Sequence, residues 1–240
     1  MKIDFDNLSL GRLRKMAKAG DEILEAFRLL GESETNAVAQ VLAHQGAFCK
    51  DEHYPRDDVC DSGTGSQYYY HAHRLEAGEH GHFHTFVRAK AIPASYRPAP
   101  IASQAVRPVG EDAICHLVAI SMDRAGIPIR LFTTNQWVTG ETFYSARETI
   151  RLIDRFSIDL VHPCLATNRW ITAMIPLFRP QIEALLIERD RVISAHAMRY
   201  ETRDVLEDEA LEITSEVAID IDEQIAGIDR ALAAAKRKWS

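Results

Sequence analysis

No stretch of this chain approaches the roughly 18 consecutive apolar residues that a membrane-crossing helix needs. Its start, MKIDFDNLSLGRLRKMAKAG, lacks the uninterrupted apolar core of a signal peptide. Membrane insertion is therefore not expected, and the cytoplasm is the expected compartment. Cysteine is scarce: Cys49, Cys60, Cys115 and Cys164 are scattered, with no CxxC pair. A thiolate zinc site or a disulfide framework is not expected from that spacing. A basic stripe is also missing. The net charge is -7, and apart from Lys236, Arg237 and Lys238 the cations are interleaved with acids, which argues against nucleic acid as a partner. Internal repeats and low-complexity tracts are absent as well.

What remains is ordinary globular composition, 46% hydrophobic and 26% charged over 240 residues, which suits a single domain spanning 1–240. Residues 1–50 read as its helical N-terminal part. Leu10, Leu13, Met16 and Ala17, then Ile23, Leu24, Phe27 and Leu30, recur at helical spacing. Gly31 is expected to stop that helix and Ser33 to cap a second one bearing Val38, Val41 and Leu42. Residues 50–66, polar and rich in Asp, Gly and Ser, read as a loop. Residues 67–140 hold the expected sheet. QYYYHAHR and HGHFHTFVR pair across the turn LEAGE, and HLVAISMD pairs with PIRLFTTNQW across Arg124-Ala125-Gly126. Between the hairpins, residues 91–112 carry Pro93, Pro98, Pro100 and Pro108 and form an extended connection able to fold over a site. Residues 141–240 read as mainly helical, with helices at 145–156, 168–177, 179–199 and 221–238, and an alternating segment at 211–219 that would suit a late edge strand. The fold class expected is α+β: a central antiparallel β-sheet of about four strands flanked by N-terminal and C-terminal helices.

Histidine is the anomaly. Five of the ten, His71, His73, His80, His82 and His84, fall within fourteen residues, where the chain's average would put less than one. Residues two apart on a strand share a face, so His71 and His73 join Tyr69, while His80, His82 and His84 join Phe86. If the two faces coincide, up to five imidazoles converge; a one-residue slip in register would separate them. Neutral imidazoles suit a transition metal, whereas a metal-free cluster would protonate and repel itself. The five histidines are therefore the expected metal ligands, with iron or zinc the expected ion and copper a third option. Glu79 is the candidate third ligand or base, Tyr69 a candidate catalytic tyrosine, and His116, at the start of the third strand, a further ligand or supporting group. Glu76 sits at the same hairpin end. Asn135, Gln136 and Thr139 are pocket-lining candidates. His44, His53, His162 and His196 stand alone and read as structural, and Trp137, Trp170 and Phe178 read as core.

QYYYHAHR and EHGHFHTFVR, followed by HLVAISMDRAGIPIRLFTTNQWVTGE and NRWITAMIPLFRPQIEALLIERD, resemble an uncharacterised family of bacterial proteins of unknown function, over most of the chain. The resemblance implies a shared fold and no activity. Three other families fit less well. In the histidine-triad nucleotide hydrolases, hydrophobic residues separate the histidines, and here Gly81 breaks that pattern; His82 would be the nucleophile on that reading. Cupins share an HxH with a later Glu, as in His71, His73 and Glu79, but their glycines are missing. The ISMDRAGIPIRLF hairpin is similar to one in flavin-binding split barrels, a pattern too common to carry a cofactor. The expected function is a metalloenzyme acting on a small molecule, an oxygenase if the ion is iron and a hydrolase or lyase if it is zinc. The alternatives are a metal or haem carrier or sensor, and metal-free nucleotide hydrolysis or transfer. A homodimer is left open.

Overall fold

The computed structural model describes residues 3–72 and 78–237. The chain begins with α1 (Leu10–Glu32), capped by Ser9, and α2 (Ala37–Leu42). Three strands follow, β1 (Tyr54–Asp61), β2 (Ser66–His71) and β3 (Gly81–Arg88), then β4 (Ile114–Met122) and β5 (Pro128–Thr134). Next come α3 (Gln136–Thr139), α4 (Ala146–Leu152), α5 (Leu165–Leu177) and α6 (Arg179–Arg199), and the chain closes with β6 (Ile213–Ala218) and α7 (Ile221–Arg237). The strands form one sheet in the order β1-β2-β3-β4-β5-β6, every neighbouring pair antiparallel. No helix among the described residues is long and apolar enough to cross a membrane.

The mixed helix–strand architecture and both central hairpins agree with the sequence pattern, but the sheet has six strands rather than about four. β1 lies inside the segment expected to be a loop. Its alternation is hidden by Arg56, Asp57 and Asp58, which lie on an edge strand whose pairing with β2 is irregular between Tyr54 and Val59. Charge and irregularity are how edge strands avoid pairing with other molecules. β6 forms the opposite edge, so the sheet also extends past residues 67–140.

Two helix boundaries differ from expectation as well. α1 runs through Gly31 to Glu32, and the cap of α2 is Asn36, whose side chain accepts the Ala39 N–H at 2.9 Å. The amide of Asn36 also reaches the β4–β5 turn, donating to the Ala125 carbonyl at 3.3 Å. Gly126 is required there twice over. Its φ is +79°, and a Cβ would stand 2.5 Å from the Asn36 side chain.

One face of the sheet builds the main core. Tyr68, Tyr70, Phe83, Val87, Ile120, Met122 and Leu131 pack with Leu13, Met16 and Ile23 of α1 and with Trp170, Ile171 and Met174 of α5. Trp170 and Phe178 are core as expected, while Trp137 is half-buried and its indole donates to the Leu211 carbonyl. A smaller cluster joins Ala99, Phe143, Ile193, Val205 and Leu206. It anchors the proline-bearing connection, which is held further by Ala99 N–H to Phe143 O at 2.8 Å and Gln104 N–H to Asp204 at 2.6 Å.

Candidate functional site

The other face of the sheet carries the histidines. In the β2–β3 pairing His71 lies opposite His82 and Tyr69 opposite His84, which is the register that puts these side chains on one side. His116 arrives by a different route. Regular β3–β4 pairing from His84–Ala119 and Thr85–Val118 would set Val87 against His116, on the core side. The register shifts between Thr85 and Phe86, so Phe86 faces His116 instead. This bulge turns the His116 side chain to the histidine face.

The rings form a row. Centroids are 5.5 Å apart for His71–His82, 4.8 Å for His82–His84 and 5.0 Å for His84–His116. Phe132 of β5 meets the rings of His82 and His84, and Phe86 flanks His84 and His116. His82, His84 and His116 are 0%, 1% and 2% exposed, whereas His71 is half-buried. The open end of the row is therefore at His71. There His53, expected to be structural, stacks on Tyr69 at 3.6 Å and turns its edge to His71 at 5.7 Å. His53 is held by Asp58, which also accepts from Gln67, and Gln67 in turn accepts from Arg88. Nothing in the spacing of the sequence joins His53 to the cluster; the unrecognised β1 edge does.

Two contacts define the chemistry of the row. His82 Nδ1 lies 2.5 Å from Glu79 Oε1, with both side chains buried. His84 Nδ1 lies 3.1 Å from His116 Nε2. Burial drives the pKa of His84 well below the ordinary imidazole value, assisted by His82, His116, His71 and His53. Burial, then Arg189 and His82, lowers His116 to about 3. Both rings are thus neutral near pH 7. Burial, with smaller contributions from Asp58 and Glu141, holds the Tyr69 phenol protonated, and its ring lies 5.1 Å from His84.

His80 does not join the row. It precedes β3, where strand alternation does not yet apply, and its Nδ1 lies 2.6 Å from the Tyr70 hydroxyl, with Phe48 stacked at 5.5 Å. Tyr70 belongs to the core side, so the three histidines of HGHFH do not share one face. Gly81 permits this: a Cβ there would lie 2.5 Å from the Tyr70 hydroxyl. His73 and Glu76 lie outside the described residues. Among the described residues, no group of three or more His, Cys, Asp or Glu side chains is arranged to hold a metal ion.

At the far end of the row the sequence reading missed Glu141. This fully buried carboxylate accepts the His116 backbone N–H at 2.6 Å, and burial raises its pKa to about 7 against the opposing pull of Arg189. Gln136, one of the expected lining residues, donates to the Glu141 carbonyl. Asn135 instead fastens the 200–211 segment by donating to Val205 O.

Residues 17–219 match the family described as domain of unknown function, DUF6969. The chain belongs to this family. The match covers all six strands and agrees with the resemblance carried by the YYYHAHR and HGHFHTF segments. No curated protein and no solved structure matches the chain.

Proposed function

We propose that this DUF6969 protein binds a transition metal ion at His71, His82 and His84 and uses it to act on a small molecule. The observation that carries the reading is the pairing of each central imidazole with a partner at Nδ1. With the proton on His82 Nδ1, Glu79 accepts that hydrogen bond, and with the shared proton on His84, His116 accepts from His84 Nδ1. Nε2 is then the lone-pair nitrogen of both rings. A carboxylate or another acceptor behind a histidine is the usual way of fixing the tautomer of a metal ligand. Metal–nitrogen bonds of about 2.0–2.1 Å bring two ligand rings to roughly 5 Å apart, so the 4.8 Å spacing of His82 and His84 is suitable. The His71 ring, 5.5 and 6.5 Å from the other two, must turn toward them to complete the set.

On this reading Glu79 orients His82, and His116 backs His84. Neither is a ligand. The ion supplies a Lewis acid or an oxygen-reactive centre, with zinc or iron, or copper as a third option, suiting imidazole donors. The end of the row at half-buried His71, with exposed His53 beside it and Tyr69 buried beneath, is the approach for a small substrate. The test is elemental analysis of untagged protein together with its absorption spectrum. Near-stoichiometric metal is expected, lost in both His71→Ala and His82→Ala. Unchanged metal in the two variants, or none in the wild type, overturns the reading. A colourless zinc protein favours hydrolytic chemistry, and a Soret band would transfer the site to a haem carrier.

A further inference from the structure

Beyond the histidines, the same side of the fold ends in polar atoms that metal binding does not use. Among the described residues several of these atoms have no hydrogen-bond partner: Glu141 Oε1 is buried and unbonded, its sister oxygen being occupied by the His116 N–H. Gln136 is 1% exposed; its Nε2 donates to the Glu141 carbonyl at 3.1 Å, and its Oε1 has no partner. Facing them is the proline-bearing connection, pinned where Thr142 Oγ1 donates to the Pro108 carbonyl at 2.6 Å. The preceding residue, Arg107, carries a buried Nη2 without a partner, and its charge acts on Glu141. Thr134 Oγ1, at the end of β5, is buried and without a partner too.

Folded proteins rarely leave buried polar atoms unsatisfied, and a cluster of them marks a place where something else supplies the bonds. The chemistry of this cluster is directional. Arg107 offers a cationic donor. Gln136 Oε1 and, when ionised, Glu141 Oε1 offer acceptors on the segment that Thr142 ties to the 107–108 stretch, yet Arg107 bonds to neither. A group fitting between them needs an anionic acceptor at one end and a hydrogen-bond donor at the other.

We propose that Arg107, Gln136 and Glu141 form a binding site for a small carboxylate bearing an adjacent hydroxyl or ammonium group. The carboxylate sits on Arg107, and the hydroxyl or ammonium donates to Gln136 and Glu141. The site stands on atoms other than the metal ligands, so it holds whether or not the histidines bind an ion.

Calorimetric titration of the whole protein, as purified and after chelator treatment, tests this with lactate, alanine and propionate as probes. Lactate or alanine should bind at least about tenfold more tightly than propionate, which keeps the carboxylate but lacks the donor. Which of the two binds tells hydroxyl from ammonium. Arg107→Gln, checked for native circular dichroism, should weaken that binding by about tenfold or more. Binding of propionate as tight as that of the other probes overturns the proposal, and so does unchanged binding in Arg107→Gln. Failure of both lactate and alanine to bind wild-type protein means that water alone fills the cluster, which also overturns it. Metal content, read separately, decides the histidine reading without touching this one.

Discussion

Glu79 and Gly81 flank His80 and have opposite demands placed on them. Glu79 carries its carboxylate to within 2.5 Å of His82, so on the proposed metal reading Glu79→Ala should weaken metal affinity about 10–100-fold while leaving the three histidines in place. Competition with a chromogenic chelator measures this, and equal affinity in the two proteins would remove the orienting role. Gly81 must carry nothing. In Gly81→Ala the new Cβ would meet the Tyr70 hydroxyl at 2.5 Å and the His71 carbonyl at 2.6 Å, and a loss of about 1–3 kcal/mol in urea unfolding is expected. Adding Tyr70→Phe should recover only part of that loss, because the carbonyl cannot withdraw. Full stability of Gly81→Ala would mean that the hairpin end readily adjusts. The same three residues show what a pattern of alternating histidines conceals. HGHFH reads as one row, but alternation holds only inside a strand, and β3 begins at Gly81.

At the scale of elements, the two central hairpins were legible because their polar turns separate runs of β-branched and aromatic residues. β1 was not, since an edge strand is chosen partly for the charges that disguise it. The contribution of His116 is legible from its place at the head of β4, yet the reason it faces His84 is a bulge, and no side-chain pattern in β4 announces one. His53 and Glu141 reach the site from segments with no periodic signal of their own. α2 illustrates a smaller displacement, since either Ser33 or Asn36 suits a cap and only the structure selects Asn36. Asn36→Ala should therefore cost about 1 kcal/mol in chemical denaturation, and Ser33→Ala, at the far end of α1, much less. The reverse order would return the cap to Ser33.

For the molecule as a whole, two buried or tethered carboxyls set opposite pH trends. Hydrogen bonds from His196 and Arg203 lower the pKa of Asp208, tying the 200–211 segment to the end of α6. A depressed carboxyl contributes stability above its unfolded value near about 4 and loses it as pH falls below that. Asp208→Asn should flatten the acid limb of the thermal-unfolding profile; an unchanged limb would show that the tether is not felt. Glu141 works the other way. Its raised value of about 7 means that the folded state keeps a proton the unfolded chain releases. Stability from this group is full below about 4.3 and is lost as pH rises through about 7, at most on the order of 4 kcal/mol. Glu141→Gln should remove that decline between pH 4 and 7, and a slope identical to wild type would exclude Glu141 as its source. The strand order has a kinetic consequence. Because the sheet follows the chain from one edge to the other, β2, β3 and β4 can zip together between residues 66 and 122 without waiting for β6 or the C-terminal helices. The histidine row belongs wholly to those three strands. An ion that binds there would catch the chain while much of it is still unfolded, and stoichiometric metal should then speed refolding while changing the unfolding rate little.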